Sequence, residues 1–176
     1  ASQADLLFLT CPNAPTGVRF PLADLRKLAS KFSGVLVIDE AYAEFADESA
    51  LSLAGKFENV VITRTFSKAY GLAGLRVGYA IASPAVISIL DRVRDSYNVN
   101  GLGQVAAEAT LDALPYYQKN FARIIKTRER LRRELTGLGW KVLPSQTNFL
   151  LAEPPGAPAK EWLERLRAKK ILVRWF

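Results

Sequence analysis

Arg64-Thr65-Phe66-Ser67-Lys68-Ala69-Tyr70-Gly71-Leu72-Ala73-Gly74-Leu75-Arg76-Val77-Gly78-Tyr79 runs on directly from Asn59-Val60-Val61-Ile62-Thr63 and leads into Ala80-Ile81-Ala82. A short apolar run rich in β-branched residues is what a strand buried on both faces of a parallel sheet requires. Lys68 therefore stands just past the carboxyl end of such a strand, where open α/β sheets place their ligands. Ser67 precedes it, small residues follow, and Arg76 comes eight positions later, so an amine and a phosphate-binding set can converge.

Upstream, Leu6 to Thr10 and Val35 to Ile38 read as two further buried strands. The first runs into Cys11-Pro12-Asn13-Ala14-Pro15-Thr16-Gly17, which on its own reads equally as a ligand loop or as a plain turn. Between the two strands Pro21 opens a helix with Leu22, Leu25, Leu28 and Phe32 at helical spacing, and Gly34 ends it. Asp39 follows the second strand and faces the same crevice; Glu40 points the other way, and Tyr42 overlooks the crevice from one turn on. The other role open to Asp39 is to cap the helix that follows.

Downstream, Val77 to Ala82 reads as a fourth strand, and Ser83-Pro84 as the cap and first turn of a helix with Val86, Ile89, Leu90 and Val93 on its apolar stripe. Ser96 to Gly103 breaks the pattern, which predicts a first body over residues 1–95 and a second over 96–176. In the second, helices are expected over Gln104 to Leu114 and Tyr116 to Leu138. The longer one carries Tyr117, Phe121, Ile124, Leu131, Leu135 and Leu138 on one stripe, with Arg128 the exception. Short strands are expected at Lys141 to Leu143, Asn148 to Leu151 and Ile171 to Val173, with a helix before the last. The fold class is α/β: a mostly parallel sheet with crossover helices, followed by a small α+β lobe.

Composition excludes several chemistries. The chain has 176 residues, no histidine and a single cysteine, so zinc clusters, His-based triads and an internal disulfide are out, and no metal site is expected. Proton transfer then falls to Lys, Tyr, Asp or Glu, with Lys68 the leading candidate. No apolar run approaches the roughly 20 residues of a membrane span, and the start lacks a basic signal region, which gives a cytoplasmic expectation. The net charge of +7 has a local source: Pro115 to Lys141 holds eight basic residues against two acids, a net of +6. That reads as the solvated outer face of one helix ahead of a nucleic-acid patch. The absence of methionine and the abrupt strands at both ends give the expectation of a piece of a longer protein.

The polar groups at the strand ends fit the needs of pyridoxal phosphate. That cofactor takes a lysine as a Schiff base, an acid to keep its ring nitrogen protonated, and hydroxyl and cationic groups for its phosphate. Lys68 supplies the first, Asp39 the second, Tyr42 a hydrogen bond to the ring oxygen, and Ser67 with Arg76 the phosphate contacts, the last by its planar fork.

Asn13 to Gly17, Asp39-Glu40-Ala41-Tyr42 and Thr65 to Tyr79, in that order, resemble the signatures of fold-type I aminotransferases, nearest to the histidinol-phosphate aminotransferases. Tyr97 to Asn100 and Thr147 to Leu150 are similar to that family's domain-junction segment and small-domain strand. The resemblance implies pyridoxal 5'-phosphate as cofactor, with Lys68 its Schiff-base lysine and proton carrier, and with Asp39, Tyr42, Ser67 and Arg76 in the roles just given. It implies amino-group transfer from histidinol phosphate to 2-oxoglutarate in histidine biosynthesis, by a homodimer.

Ala14 departs from the pattern, because the family commonly has asparagine there, bonding the ring oxygen; Asn13, the backbone, or Tyr42 alone takes that contact. The resemblance also implies that segments before and after this one supply a tyrosine for the neighbouring subunit and a carboxylate-binding arginine, so the chain alone is expected to bind cofactor weakly and turn over little. Three alternatives stay open: a decarboxylase of a phosphorylated amino acid or an aromatic aminotransferase of the same fold, a non-catalytic piece serving folding or dimer contact, and a basic nucleic-acid module.

Overall fold

The computed structural model describes residues 4–176, so residues 1–3 of the expected first body lie outside it. Strands β1 (Leu6–Thr10), β2 (Val35–Asp39) and β3 (Val60–Thr65) are parallel neighbours, and β4 (Gly78–Ile81) returns antiparallel along β3. Parallel pairing demands a crossover, and helix α1 (Leu22–Lys31) and the single turn α2 (Leu51–Ala54) lie in the two connections.

Alternation along the strands explains the first core. Leu36, Ile38, Val60 and Ile62 are each 0% exposed and cluster with Leu25 and Ala29 of α1 and Leu53 of α2. Burying each such aliphatic side chain contributes about 1.5–3 kcal/mol. Asn59 closes the layer: its side-chain amide donates to the carbonyls of Phe32 at 2.8 Å and Gly34 at 3.0 Å, satisfying the chain as it leaves α1.

Helix α3 (Pro84–Val93) starts as the Ser-Pro pair predicts, with Ser83 extended, although the Ser83 hydroxyl donates to the Glu58 carbonyl instead of capping. The expected division at residues 95 and 96 falls between α3 and helix α4 (Gly101–Asp112). That helix begins earlier than Gln104 because Asn100 caps it, its side-chain oxygen accepting the Gly103 N–H at 2.8 Å. Gly103 also lets α4 approach β4's lead-in: a Cβ there would lie 2.8 Å from Val77 Cγ2.

Helix α5 (Leu114–Gly137) buries Phe121 in a second core with Phe45, Phe66, Tyr70 and Val77, and Tyr117 and Ile124 of the same stripe pack against it. One expectation about α5 is corrected: its cations are not all on a solvated face. Arg128 is buried, because two main-chain carbonyls meet it there.

A two-stranded antiparallel sheet follows, β5 (Lys141–Val142) with β6 (Ala152–Glu153). The strand expected at Asn148 to Leu151 is therefore displaced to residues 152–153. The preceding segment is a bend held by its own side chains, Ser145 Oγ donating to the Phe149 carbonyl at 2.7 Å and accepting the Thr147 N–H at 3.1 Å. Such local bonds compete with a ladder. After helix α6 (Ala159–Ala168), Lys170 turns left-handed at φ 61° and Ile171 N–H returns to the Leu166 carbonyl. Ile171 to Val173, expected as a strand, pairs with no strand among the described residues. Among the described residues no helix is long and apolar enough to cross a membrane.

Candidate functional site

Strands β2 and β3 end side by side, with Asp39 opposite Thr63 in register, so their outgoing loops share one edge of the sheet. The loop after β3 is pinned at both shoulders. Phe66 and Tyr70 are buried with ring centroids 5.2 Å apart, while Lys68 between them is exposed. Main-chain bonds close the turn: Phe66 N–H to Val77 O, Leu72 N–H to Phe66 O and Gly71 N–H to Lys68 O. Burying two aromatics on either side of one lysine leaves the amine projecting from a rigid base.

Lys68 Nζ lies 5.6 Å from the centre of the Tyr42 ring, close enough for an ammonium to feel its negative face. Tyr42 starts a 3₁₀ turn over Ala43–Phe45, and its ring meets Phe149 edge to face at 5.3 Å. Asp39 is half-buried, and its Oδ1 accepts the Ala41 N–H at 3.0 Å. This bond, two residues on, closes a local turn and is not the helix cap the sequence left open, since the 3₁₀ turn has Tyr42 at its cap and no side-chain cap bond. Among the described residues the carboxylate keeps its second oxygen for another partner. Arg76 is held in the left-handed region at φ 57°, where its guanidinium reaches Ser67 Oγ at 3.5 Å and the Ala73 carbonyl at 3.0 Å.

Asn13 faces its own turn. Its amide nitrogen donates to Thr10 Oγ1 at 2.7 Å, and its oxygen accepts the Thr16 hydroxyl at 2.7 Å. The turn itself is tied to β2 through Cys11 N–H and Asp39 O at 2.9 Å. Gly17 takes φ +76°, and a Cβ there would meet Ser145 Oγ at 2.6 Å, so the turn and the 145–149 bend are in direct contact.

An open cleft of about 650 Å³ runs between the Lys68 loop, α5 and the 148–150 segment. Of the expected site residues Lys68 alone lines it, together with Tyr70, Tyr116, Tyr117, Arg123, Asn148 and Phe149. Asp39, Tyr42, Ser67, Arg76 and Asn13 are outside its wall, so the strand-end groups and the cleft meet only at the lysine.

Sequence reasoning missed the buried polar frame beneath this edge. Glu40, 2% exposed, takes both Nε and Nη2 of Arg64, at 3.1 and 2.7 Å, together with the Ser49 hydroxyl and the Ala50 N–H. Burial lowers the Arg64 pKa, but the bonds and charge of Glu40, aided by Tyr79, more than offset this and leave it above its ordinary value. Burial raises the Glu44 carboxyl, with Glu40 adding to the shift and its own main-chain N–H and Arg64 opposing it. Tyr70 is raised by burial and then by Glu44. Alternation alone placed Glu40 away from the crevice; nothing along the chain marked Arg64 as its partner.

The family model for aminotransferase class I and II matches residues 1–175. The histidinol-phosphate aminotransferase of Geobacter sulfurreducens is 49% identical over 99% of this chain and 50% of its own length. Histidinol-phosphate aminotransferase 1 of a Nostoc species is 46% identical over 100% of this chain and 50% of its own. The crystal structure of histidinol-phosphate aminotransferase from Sinorhizobium meliloti, in complex with pyridoxal-5'-phosphate, overlays with a TM-score of 0.87 at 32% identity, covering 97% of this chain and 49% of that one. The chain thus spans about half the length of the curated relatives it matches.

Proposed function

The chain belongs to the class I and II aminotransferases, and on that premise we propose that it carries the cofactor-binding half of a pyridoxal phosphate enzyme that moves an amino group from histidinol phosphate to a 2-oxo acid. The observation that carries this reading is the exposed Lys68 amine, set 5.6 Å from the Tyr42 ring centre at the shared edge of β2 and β3.

The residues fit the cofactor. An amine with a rigid base, a half-buried carboxylate with an oxygen to spare, a phenol, and a hydroxyl beside a guanidinium are the donor set that a phosphorylated pyridine aldehyde requires. When bound, that group supplies an electron sink for charge developing at the substrate's α-carbon. Lys68 would be the attachment point and, once displaced by the substrate amine, the base that takes the α-proton and passes it to the cofactor's C4′. Asp39 would hold a proton on the ring nitrogen, Tyr42 would donate to the ring oxygen, and Ser67 with Arg76 would grip the phosphate. Asn13, engaged by Thr10 and Thr16, keeps one amide hydrogen for the ring oxygen. We take residues 1–95 and 96–176 as the two lobes that meet at the cleft. The parent is a homodimer, a reading supported by the exposed apolar side chains Val93, Tyr97 and Leu102 around α3 and α4.

The test is covalent attachment. The chain incubated with pyridoxal phosphate should develop a visible absorbance band, become irreversibly labelled on Lys68 after borohydride, and lose both signals in Lys68→Ala. Label on other lysines with Lys68 unmodified, in folded protein, sinks the assignment. Transfer by the parent enzyme is then read with histidinol phosphate as donor.

A further inference from the structure

Arg128 stands out as a buried cation that the chemistry above does not use. It interrupts the apolar stripe of α5 and is 8% exposed. Its Nη1 donates to two main-chain carbonyls at once, Phe45 at 3.1 Å and Thr147 at 2.8 Å, while Nε donates to Glu129 at 3.0 Å. Those carbonyls belong to segments far apart in the chain. One ends the turn that Tyr42 begins, and the other precedes Asn148 and Phe149.

We propose that Arg128 is a positioning residue of this site: its guanidinium locks the Phe45 and Thr147 carbonyls together and thereby sets the Tyr42–Phe149 ring pair against which the Lys68 amine lies. The proposal rests on the reading of Lys68 and Tyr42 as cofactor-holding residues. The chain of contacts is continuous. Phe149 meets Tyr42 at 5.3 Å, and Tyr42 faces Lys68 Nζ at 5.6 Å. Thr147, 0% exposed, bonds Ser145 Oγ at 2.9 Å and the Phe149 carbonyl at 3.2 Å, so a fixed Thr147 fixes the backbone that carries the Phe149 ring.

Other ties reach the same bend: Asp47 N–H to Gln146 Oε1 from beside the Tyr42 turn, and Gln146 N–H to Gly17 O of the turn after β1, both at 2.8 Å. Arg128 differs in satisfying both buried carbonyls from one rigid, charged fork. A lysine can replace the charge but not the planar set of three bonds. Without the fork, two buried acceptors lose their partner, and the turn and the bend are free to separate.

The experiment uses the 176-residue chain, as wild type and as Arg128→Met, Arg128→Lys, Tyr42→Phe and the Arg128→Met/Tyr42→Phe double variant. Amide hydrogen exchange over residues 42–47 and 146–150 reports the tie itself, and absorbance titration with pyridoxal phosphate reports its effect on the site. Expected are faster exchange in both segments of Arg128→Met and an affinity loss of about tenfold, with the two substitutions coupled rather than multiplicative, as for residues in one network. Arg128→Lys should fall between, and it carries the test if the methionine variant fails to fold. Unchanged exchange in either segment, or losses that simply multiply as a remote packing defect would make them, overturns the proposal. If wild type binds no cofactor at Lys68, the proposed function falls and the positioning role with it; if wild type binds and the Arg128 variants bind equally, only the role of Arg128 falls.

Discussion

The buried Glu40 and the partly buried Arg64 form a two-pronged ion pair at the strand ends that lead to Asp39, Tyr42 and Lys68. Both prongs end on one carboxylate oxygen, Arg64 Nε at 3.1 Å and Nη2 at 2.7 Å, and Nη2 reaches the Ser49 hydroxyl at 2.8 Å as well. The pair joins the carboxyl ends of β2 and β3 across the sheet, so it holds the two loops of the site at one spacing.

Removing one partner should be severe and removing both less so. Arg64→Met leaves Glu40 charged and buried, and is expected to cost about 3 kcal/mol, the lower end for breaking a buried pair. The double variant Arg64→Met with Glu40→Gln should recover part of that loss. Urea denaturation of the single and double variants measures it; a double variant weaker than Arg64→Met would contradict the pairing argument.

Gly103 gives a sign reversal. Alanine in place of a helical glycine normally stabilises by roughly 1 kcal/mol. Here its Cβ would lie 2.8 Å from Val77 Cγ2, so Gly103→Ala should destabilise by about 1–2 kcal/mol through overpacking. In a Val77→Ala background the same change should become neutral or stabilising. Thermal melts of the four proteins decide, and a loss of equal size in both backgrounds would rule out the contact as its cause.

Burial holds the Glu44 carboxyl above its ordinary 4.5. The folded chain therefore keeps this proton over a range of pH in which the unfolded chain has released it, and stability falls as pH rises through that range. Glu44→Gln removes the titration. Its urea midpoint relative to wild type should climb as pH rises above about 4.5 and level off beyond the folded value. Parallel curves for the two proteins between about pH 4 and about pH 8 would show that Glu44 does not titrate differently on folding.

Arg76 separates backbone strain from phosphate binding. Its φ of 57° favours glycine, so Arg76→Gly should be more stable than Arg76→Ala by roughly 1 kcal/mol. Both variants lack the guanidinium that stands 3.5 Å from Ser67 Oγ, and both should lose about tenfold in pyridoxal phosphate affinity. An alanine variant that binds the cofactor as tightly as wild type would remove Arg76 from the phosphate site.

Much of the fold was legible along the chain because its signals are local. Buried parallel strands announce themselves as apolar runs, and Leu6 to Thr10, Val35 to Ile38 and Val60 to Thr63 formed where expected. Three ordered motifs were enough for the family, which the comparisons bear out. Boundaries failed where local side-chain bonds to the backbone, or the lack of a neighbouring strand, decide. Asn148 to Leu151 has strand composition, but Ser145 and Thr147 bond its backbone into a bend, and Ile171 to Val173 has strand composition but joins no ladder among the described residues.

For the candidate site, the chain alone was sufficient to single out Lys68, Asp39 and Tyr42, because position relative to a strand end follows from counting residues. It was silent on what holds them. Glu40 with Arg64, Phe149 against Tyr42, and Arg128 across Phe45 and Thr147 join segments that no spacing relates. Arg128 in an apolar stripe was the one local sign of such a tie. A buried cation must find acceptors, and which carbonyls supply them depends on how the chain closes on itself in space.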